Sequence, residues 1–105
     1  EKIYNVALSD NRRVKVNGGV EPVGNSVDLS NATYTNTIGA PELGTVWRDP
    51  DFQVSEPAFY YVRVLQIPTP RWTTFDVVSK NAKFGPEIPL TTQERVYTSP
   101  IWYTP

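Results

Sequence analysis

The run Ala58-Phe-Tyr-Tyr-Val-Arg-Val-Leu-Gln-Ile-Pro-Thr-Pro-Arg-Trp72 decides how this chain is read. Its first ten residues are mostly β-branched and aromatic, the types that suit a pleated, half-buried surface. Ala58 to Ile67 is therefore expected to form the central strand. Alternation puts Tyr60, Val62 and Val64 on one face and Phe59, Tyr61, Arg63 and Leu65 on the other, and the first face is the candidate core face. Pro68 and Pro70 follow. Each lacks a backbone N–H and has a fixed φ, so residues 68–72 are expected to leave the sheet ladder as a stiff arm carrying Thr69, Pro70, Arg71 and Trp72.

Working upstream, Leu43 to Arg48 reads as a strand anchored by Trp47, closed by the turn Asp49-Pro-Asp51. Ala32 to Ile38 alternates and is rich in threonine, which predicts another strand, ended by Gly39 and Pro41. Residues 14–30 carry valines but are cut by Gly18-Gly19, Pro22 and Gly24-Asn25, the pattern of an elaborated loop or hairpin. Ile3 to Leu8 predicts an opening strand broken at Ser9-Asp-Asn11.

Downstream, Thr73 to Asn81 predicts one short helix, with Thr74 as its cap and Phe75, Val77 and Val78 on its apolar side. Arg95 to Tyr103 predicts a last strand interrupted by Pro100, a residue that belongs at an edge or a bulge. The sum is about six or seven short strands joined by turns and long loops. That pattern predicts an all-β fold, an immunoglobulin-like or fibronectin-like β-sandwich, in a single domain over residues 1–105.

Glu56-Pro-Ala-Phe-Tyr60 resembles the tyrosine corner of immunoglobulin-like domains, in which a tyrosine hydroxyl returns to the backbone at one end of the sandwich. In that reading Tyr60 is the corner, Glu56 takes the acidic position and Val62 replaces the cysteine of disulfide-bonded versions. The plainer reading makes Tyr60 one aromatic of an aromatic-rich strand.

Composition narrows the chemistry. The chain has no histidine and no cysteine, so thiolate and imidazole metal sites, disulfides and histidine-assisted nucleophiles are all ruled out. Without cysteine, cytoplasm and periplasm remain equally open. Ten basic and eleven acidic residues are interspersed, leaving no basic footprint for nucleic acid. No apolar run approaches the roughly 20 residues needed for membrane insertion. The chain also lacks methionine, which predicts a fragment of a larger protein.

Asp49, Asp51 and Glu56 could offer oxygens to calcium. That ion takes six to eight oxygen ligands, and the glycine-centred loop spacing is missing, so turn formation explains these residues better. No spacing singles out a catalytic carboxylate pair, and no cofactor motif is present. The aromatic residues are the stronger signal. Trp47 and Trp102 read as core, whereas Trp72 beside Arg71 on a proline-stiffened segment reads either as an interface anchor or as a packed crossover.

Phe59 to Trp72, Trp47-Arg-Asp-Pro-Asp-Phe52, Thr98 to Pro105 and Val27 to Gly39 together resemble the C-terminal part of a bacterial family known as domain of unknown function 3604. Gln66 departs from that likeness, which leads one to expect glutamate there. Members of the family resemble metal-dependent hydrolases of the PHP and amidohydrolase kind, with the catalytic part lying N-terminal. The resemblance implies a non-catalytic C-terminal accessory domain that packs on the catalytic domain of the same polypeptide, in a bacterial protein that is cytoplasmic, periplasmic or exported. On that footing the arm Pro68 to Trp72, with Thr69, Pro70, Arg71 and Trp72, is expected to dock against the catalytic domain and help shape its active-site mouth. The alternative function is an independent ligand-binding or carbohydrate-binding module that uses exposed tryptophan.

Overall fold

The two longest β-rich runs of the sequence find each other. In the computed structural model, which describes residues 1–105, the segment 58–70 runs antiparallel to the segment 91–103 along its whole length. The pairing falls into three short ladders. β1 (Ala58–Tyr60) pairs with β6 (Ile101–Tyr103), β2 (Arg63–Leu65) with β5 (Arg95–Tyr97), and β3 (Thr69–Pro70) with β4 (Thr91–Thr92). The chain is thus mostly strand and loop, with one helix, α1 (Trp72–Lys80), at the turn of the ribbon.

The breaks between ladders coincide with prolines. From Tyr60↔Ile101 to Arg63↔Tyr97 the chain advances three residues on one strand and four on the other, so an extra residue lies in Thr98-Ser-Pro100. From Leu65↔Arg95 to Thr69↔Thr92 the extra residue lies on the first strand, in Gln66-Ile-Pro68. A bulge of this kind accommodates a residue that cannot donate to the ladder. Pro100 was expected at such a place. Side chains sew both gaps: the Val62 amide donates to Thr98 Oγ1 at 2.9 Å, and Gln93 Nε2 donates to the Gln66 carbonyl at 2.9 Å.

The expectation that residues 68–72 leave the ladder is corrected. Thr69 and Pro70 pair with Thr92 and Thr91, and the Arg71 amide donates to the Leu90 carbonyl at 2.9 Å. Ladder bonds alternate along a strand, so with Arg71 bonded inward the Pro70 nitrogen faces away from the partner and costs the ladder nothing.

α1 begins one residue earlier than expected, and Thr74 is not its cap. Arg71 is the N-cap, with no side-chain bond, while Thr73 and Thr74 are fully buried against the returning chain. Their hydroxyls donate to the carbonyls of Pro89, at 2.8 Å, and Leu90. Asn81 closes the helix in the left-handed region (φ 53°), where a short amide side chain is tolerated, and Lys80 pairs with Asp76 one turn back.

The strands expected at Ile3–Leu8, Ala32–Ile38 and Leu43–Arg48 do not form. Residues 1–57 contribute only two isolated bridges, Val14↔Val20 and Asp28↔Thr33. Local bonds explain the second case. The Asp28 carboxylate accepts from the Ser30 amide, the Ser30 hydroxyl and Asn31 Nδ2 at 2.6–2.9 Å, turning the chain into Ala32 just where alternation predicts a strand. The Val14↔Val20 bridge around Gly18-Gly19 matches the hairpin expected within 14–30.

Two sheets packed face to face are not seen. The three ladders lie end to end, and the molecule measures 59 × 26 × 25 Å. Its radius of gyration is 18.2 Å, against about 13 Å for a compact domain of this length. The accessible surface of 8587 Å² likewise exceeds the roughly 6,000 Å² of a compact 11.9 kDa monomer. Ala32 is the single buried apolar residue.

Candidate functional site

One face of the ribbon is partly covered at its β1/β6 end, around Tyr60 and Tyr103, while Ile101, Val62, Val64 and Val96 on that face stay exposed. On the covered side, Tyr60 meets Trp47 edge-on at 6.4 Å and Tyr103 meets Phe52 edge-on at 4.9 Å. The Tyr103 hydroxyl adds a bond to the Val54 carbonyl at 2.7 Å. Residues 47–54 therefore lie along the β1/β6 end of the ribbon.

On the opposite side an aromatic row stands in solvent. Trp102 and Phe59 face each other across β6 and β1 with centroids 5.1 Å apart; Phe59 stacks on Tyr61 at 6.3 Å, and Tyr61 meets Tyr97 at 6.0 Å. The row continues into Arg63 and into Leu65 opposite Arg95. All of these are exposed, Trp102 to 71%. Trp102 is therefore surface and not the core residue expected. In the same way Val62 and Val64, expected to face a core with Tyr60, are half exposed, and only Tyr60 of that set is partly covered.

At the tip, Arg71 and Trp72 are adjacent in space as well as sequence. The Arg71 guanidinium lies 5.8 Å from the Trp72 ring centroid, and Phe84 meets the same ring edge-on at 5.8 Å. Trp72 remains 59% exposed, while Arg71, Thr69 and Pro70 are half-buried. The tip is thus a planar cation and indole presented together at the end of a short, paired strand.

The tyrosine-corner bond is not made to backbone. The Tyr60 hydroxyl donates to Asp49 Oδ2 at 2.8 Å, and Glu56 is exposed on the preceding turn. The same Asp49 accepts the Asp51 amide at 2.9 Å through Oδ1, the side-chain turn expected of Asp49-Pro-Asp51.

A second group, not anticipated from sequence, assembles around Asp51. Lys2 Nζ donates to Asp51 Oδ2 at 2.8 Å, the Tyr4 hydroxyl donates to the same oxygen, and the Tyr4 ring lies 4.9 Å from Trp47. Together with Tyr60 and Asp49 these line a hollow of about 210 Å³. The hydrogen bond from Lys2, then that from Tyr4, holds the Asp51 carboxyl below its ordinary range. The same bonds raise Tyr4 and Lys2, and the bond to Asp49 raises Tyr60, because donation to a carboxylate favours the protonated donor.

Asp49 and Asp51 approach each other while Glu56 stands apart, and no three acidic side chains gather into a group that could hold a metal ion. No helix is long and apolar enough to cross a membrane. A family model described as protein of unknown function (DUF3604) matches residues 1–105. No curated protein and no solved structure matches the chain.

Proposed function

Since the chain belongs to the family described as protein of unknown function (DUF3604), we propose that it is a non-catalytic docking segment whose uncovered ribbon face packs on a catalytic body of the same polypeptide. The aromatic row Trp102–Phe59–Tyr61–Tyr97 carries this reading. Contiguous exposed aromatics on one sheet face mark an interaction surface, and tryptophan, tyrosine and arginine are the residue types most enriched at binding hot spots. A two-stranded ribbon is marginal by itself in water, so a second layer over this face would add stability as well as contact. The β-sandwich expected from the strand pattern would then be completed by that second layer.

Arg71 and Trp72 extend the same logic to the tip. A guanidinium can grip a carboxylate or phosphate through two parallel hydrogen bonds, and here it is held against an indole. We place this pair at the mouth of a metal-dependent hydrolase site, following the family resemblance. Non-catalysis of the segment itself is supported by the absence of histidine and cysteine from the chain.

The test uses the intact polypeptide. Phe59→Ser with Trp102→Thr should loosen docking, read as faster amide exchange across β1, β2, β5 and β6 with the catalytic body still folded. Arg71→Ala with Trp72→Ala should leave ribbon exchange unchanged and lower turnover on phosphoester and ester panels. Unchanged exchange in the first variant would remove the docking role.

A second reading, an independent carbohydrate-binding module, draws on the same exposed Trp102 and Trp72. A saturable tryptophan-fluorescence shift with a glycan, lost on replacing Trp102, would favour it.

A further inference from the structure

The hollow over Asp51 has its own chemistry, although Phe59 of the aromatic row also borders it. Three rings stand in series around it, Tyr4 against Trp47 at 4.9 Å and Trp47 against Tyr60 at 6.4 Å. Asp49 and Asp51 supply two carboxylates and Lys2 one ammonium, so the lining carries an excess of one acidic group. Each tyrosine commits its hydroxyl to a carboxylate, Tyr4 to Asp51 and Tyr60 to Asp49. With both hydroxyls committed, the rings that line the hollow, rather than the hydroxyls, are what it presents to a guest.

The free valences point in one direction. Both oxygens of Asp49 are engaged, by the Asp51 amide and by Tyr60, and both donors to Asp51 reach the same Oδ2. Asp51 Oδ1 is therefore the open acceptor. A polyol would need several free donors and acceptors, which this hollow lacks. An inorganic divalent cation would need more oxygens than one aspartate presents. An organic cation needs only aromatic faces and a counter-charge, and tryptophan is the best such face.

The chain already places an ammonium here, because Lys2 Nζ lies 2.8 Å from Asp51 with both side chains half exposed and free to exchange partners. We propose that the hollow of Tyr4, Trp47, Tyr60 and Asp51 binds a small alkylated ammonium group, with Lys2 as an intramolecular competitor for the same carboxylate. Binding stacks the alkylated nitrogen on Trp47 and sets it opposite Asp51, and Lys2 swings out to solvent. A cation–π contact and one exposed carboxylate each contribute little, so the expected Kd is on the order of millimolar.

Isothermal titration of the intact polypeptide with tetramethylammonium and with choline, at constant ionic strength, tests this. Both should bind saturably, and the neutral isostere 3,3-dimethylbutan-1-ol should not. Trp47→Ala should weaken binding roughly threefold to tenfold, as expected for loss of a cation–π face. Lys2→Gln should tighten it about twofold to fivefold by removing the competitor, an exposed ion pair being weak. Equal binding of the neutral isostere, no saturable heat with either cation, or weaker binding in Lys2→Gln would each overturn the proposal. Retained dichroism of the variants separates these outcomes from misfolding.

Discussion

Pro68 and Pro100 lie on opposite strands of one ribbon, each inside a one-residue slip that cancels the other. The first ladder and the last therefore share one register, and the middle ladder is offset by one residue. A single uncompensated bulge would have turned the β1/β6 aromatics to the other side relative to the tip, since one residue of slip exchanges the two faces of a strand. Because the slips are paired, the register that faces Phe59 with Trp102 returns at Pro70 and Thr91.

Thr98 tests how firmly the first slip is sewn. Its hydroxyl accepts the Val62 amide while its own amide donates to the Val62 carbonyl at 3.0 Å. Thr98→Val keeps the shape and the second bond but removes the first. The expected cost is about 1 kcal/mol, the usual net worth of one hydrogen bond. It should appear as roughly fivefold faster exchange of the Val62 amide, with the Gln66 amide unaffected.

The helix start offers a sharper contrast between neighbours. Thr73 and Thr74 are both fully buried and both donate to a carbonyl of the returning chain. The Leu90 carbonyl also receives the Arg71 amide, whereas Thr73 is the one chain donor to the Pro89 carbonyl. Thr74→Val thus leaves its acceptor satisfied, and Thr73→Val strands one. The Thr73 change should be the more destabilising, by up to about 1 kcal/mol, because it leaves the Pro89 carbonyl with no chain donor whereas the Leu90 carbonyl keeps the Arg71 amide. Denaturant midpoints of the two variants in the intact polypeptide check the order.

How much of this was legible in sequence depends on the range of the determining contacts. Alternation over Ala58–Ile67 and Arg95–Tyr103 located both strands of the ribbon, and the position of Pro100 located a bulge, because those signals are local. Sequence periodicity cannot tell which face finds a cover, so Trp102 read as core and proved to be surface. Ala32–Ile38 failed for another reason: Asp28 and its neighbours satisfy one another before a ladder can begin. The Asp51 hollow had no sequence signal beyond the turn at Asp49, since Lys2 and Tyr4 reach it from more than forty residues away.

The charge state of that hollow has a definite pH dependence. Asp51 is held below its ordinary value, so its contribution is complete above about pH 4, the unperturbed carboxyl range, and is lost as pH falls through the lowered value. Tyr4 and Tyr60 are raised, so their contribution is complete below about pH 10 and is lost as pH rises through the raised values. Asp51→Asn should bring the Tyr4 titration back toward that of an ordinary phenol while leaving Tyr60, bonded to Asp49, late. Site-resolved carbon shifts of the two tyrosine rings report the difference.

Gly39 joins the N-terminal half to the ribbon, and its replacement should separate them. It adopts φ 79°, a region that side-chain-bearing residues rarely enter, and its amide donates to Asp10 Oδ2 at 2.8 Å. A Cβ at this position would drive into the Ile67 side chain, which belongs to the slip at Pro68. The amide bond holds the glycine in place, and the close approach to Ile67 sets the loop 36–41 against the ribbon. Gly39→Ala therefore carries both a left-handed backbone cost of about 1 kcal/mol and a steric clash costing about 1–3 kcal/mol more. The two costs are separable, because Ile67→Ala in the same chain removes the obstructing atoms. The double variant should be less destabilised than the two single changes added together, with a coupling of at least about 0.5 kcal/mol, as for residues in direct contact. Strict additivity of the two would show that the loop does not rest on Ile67.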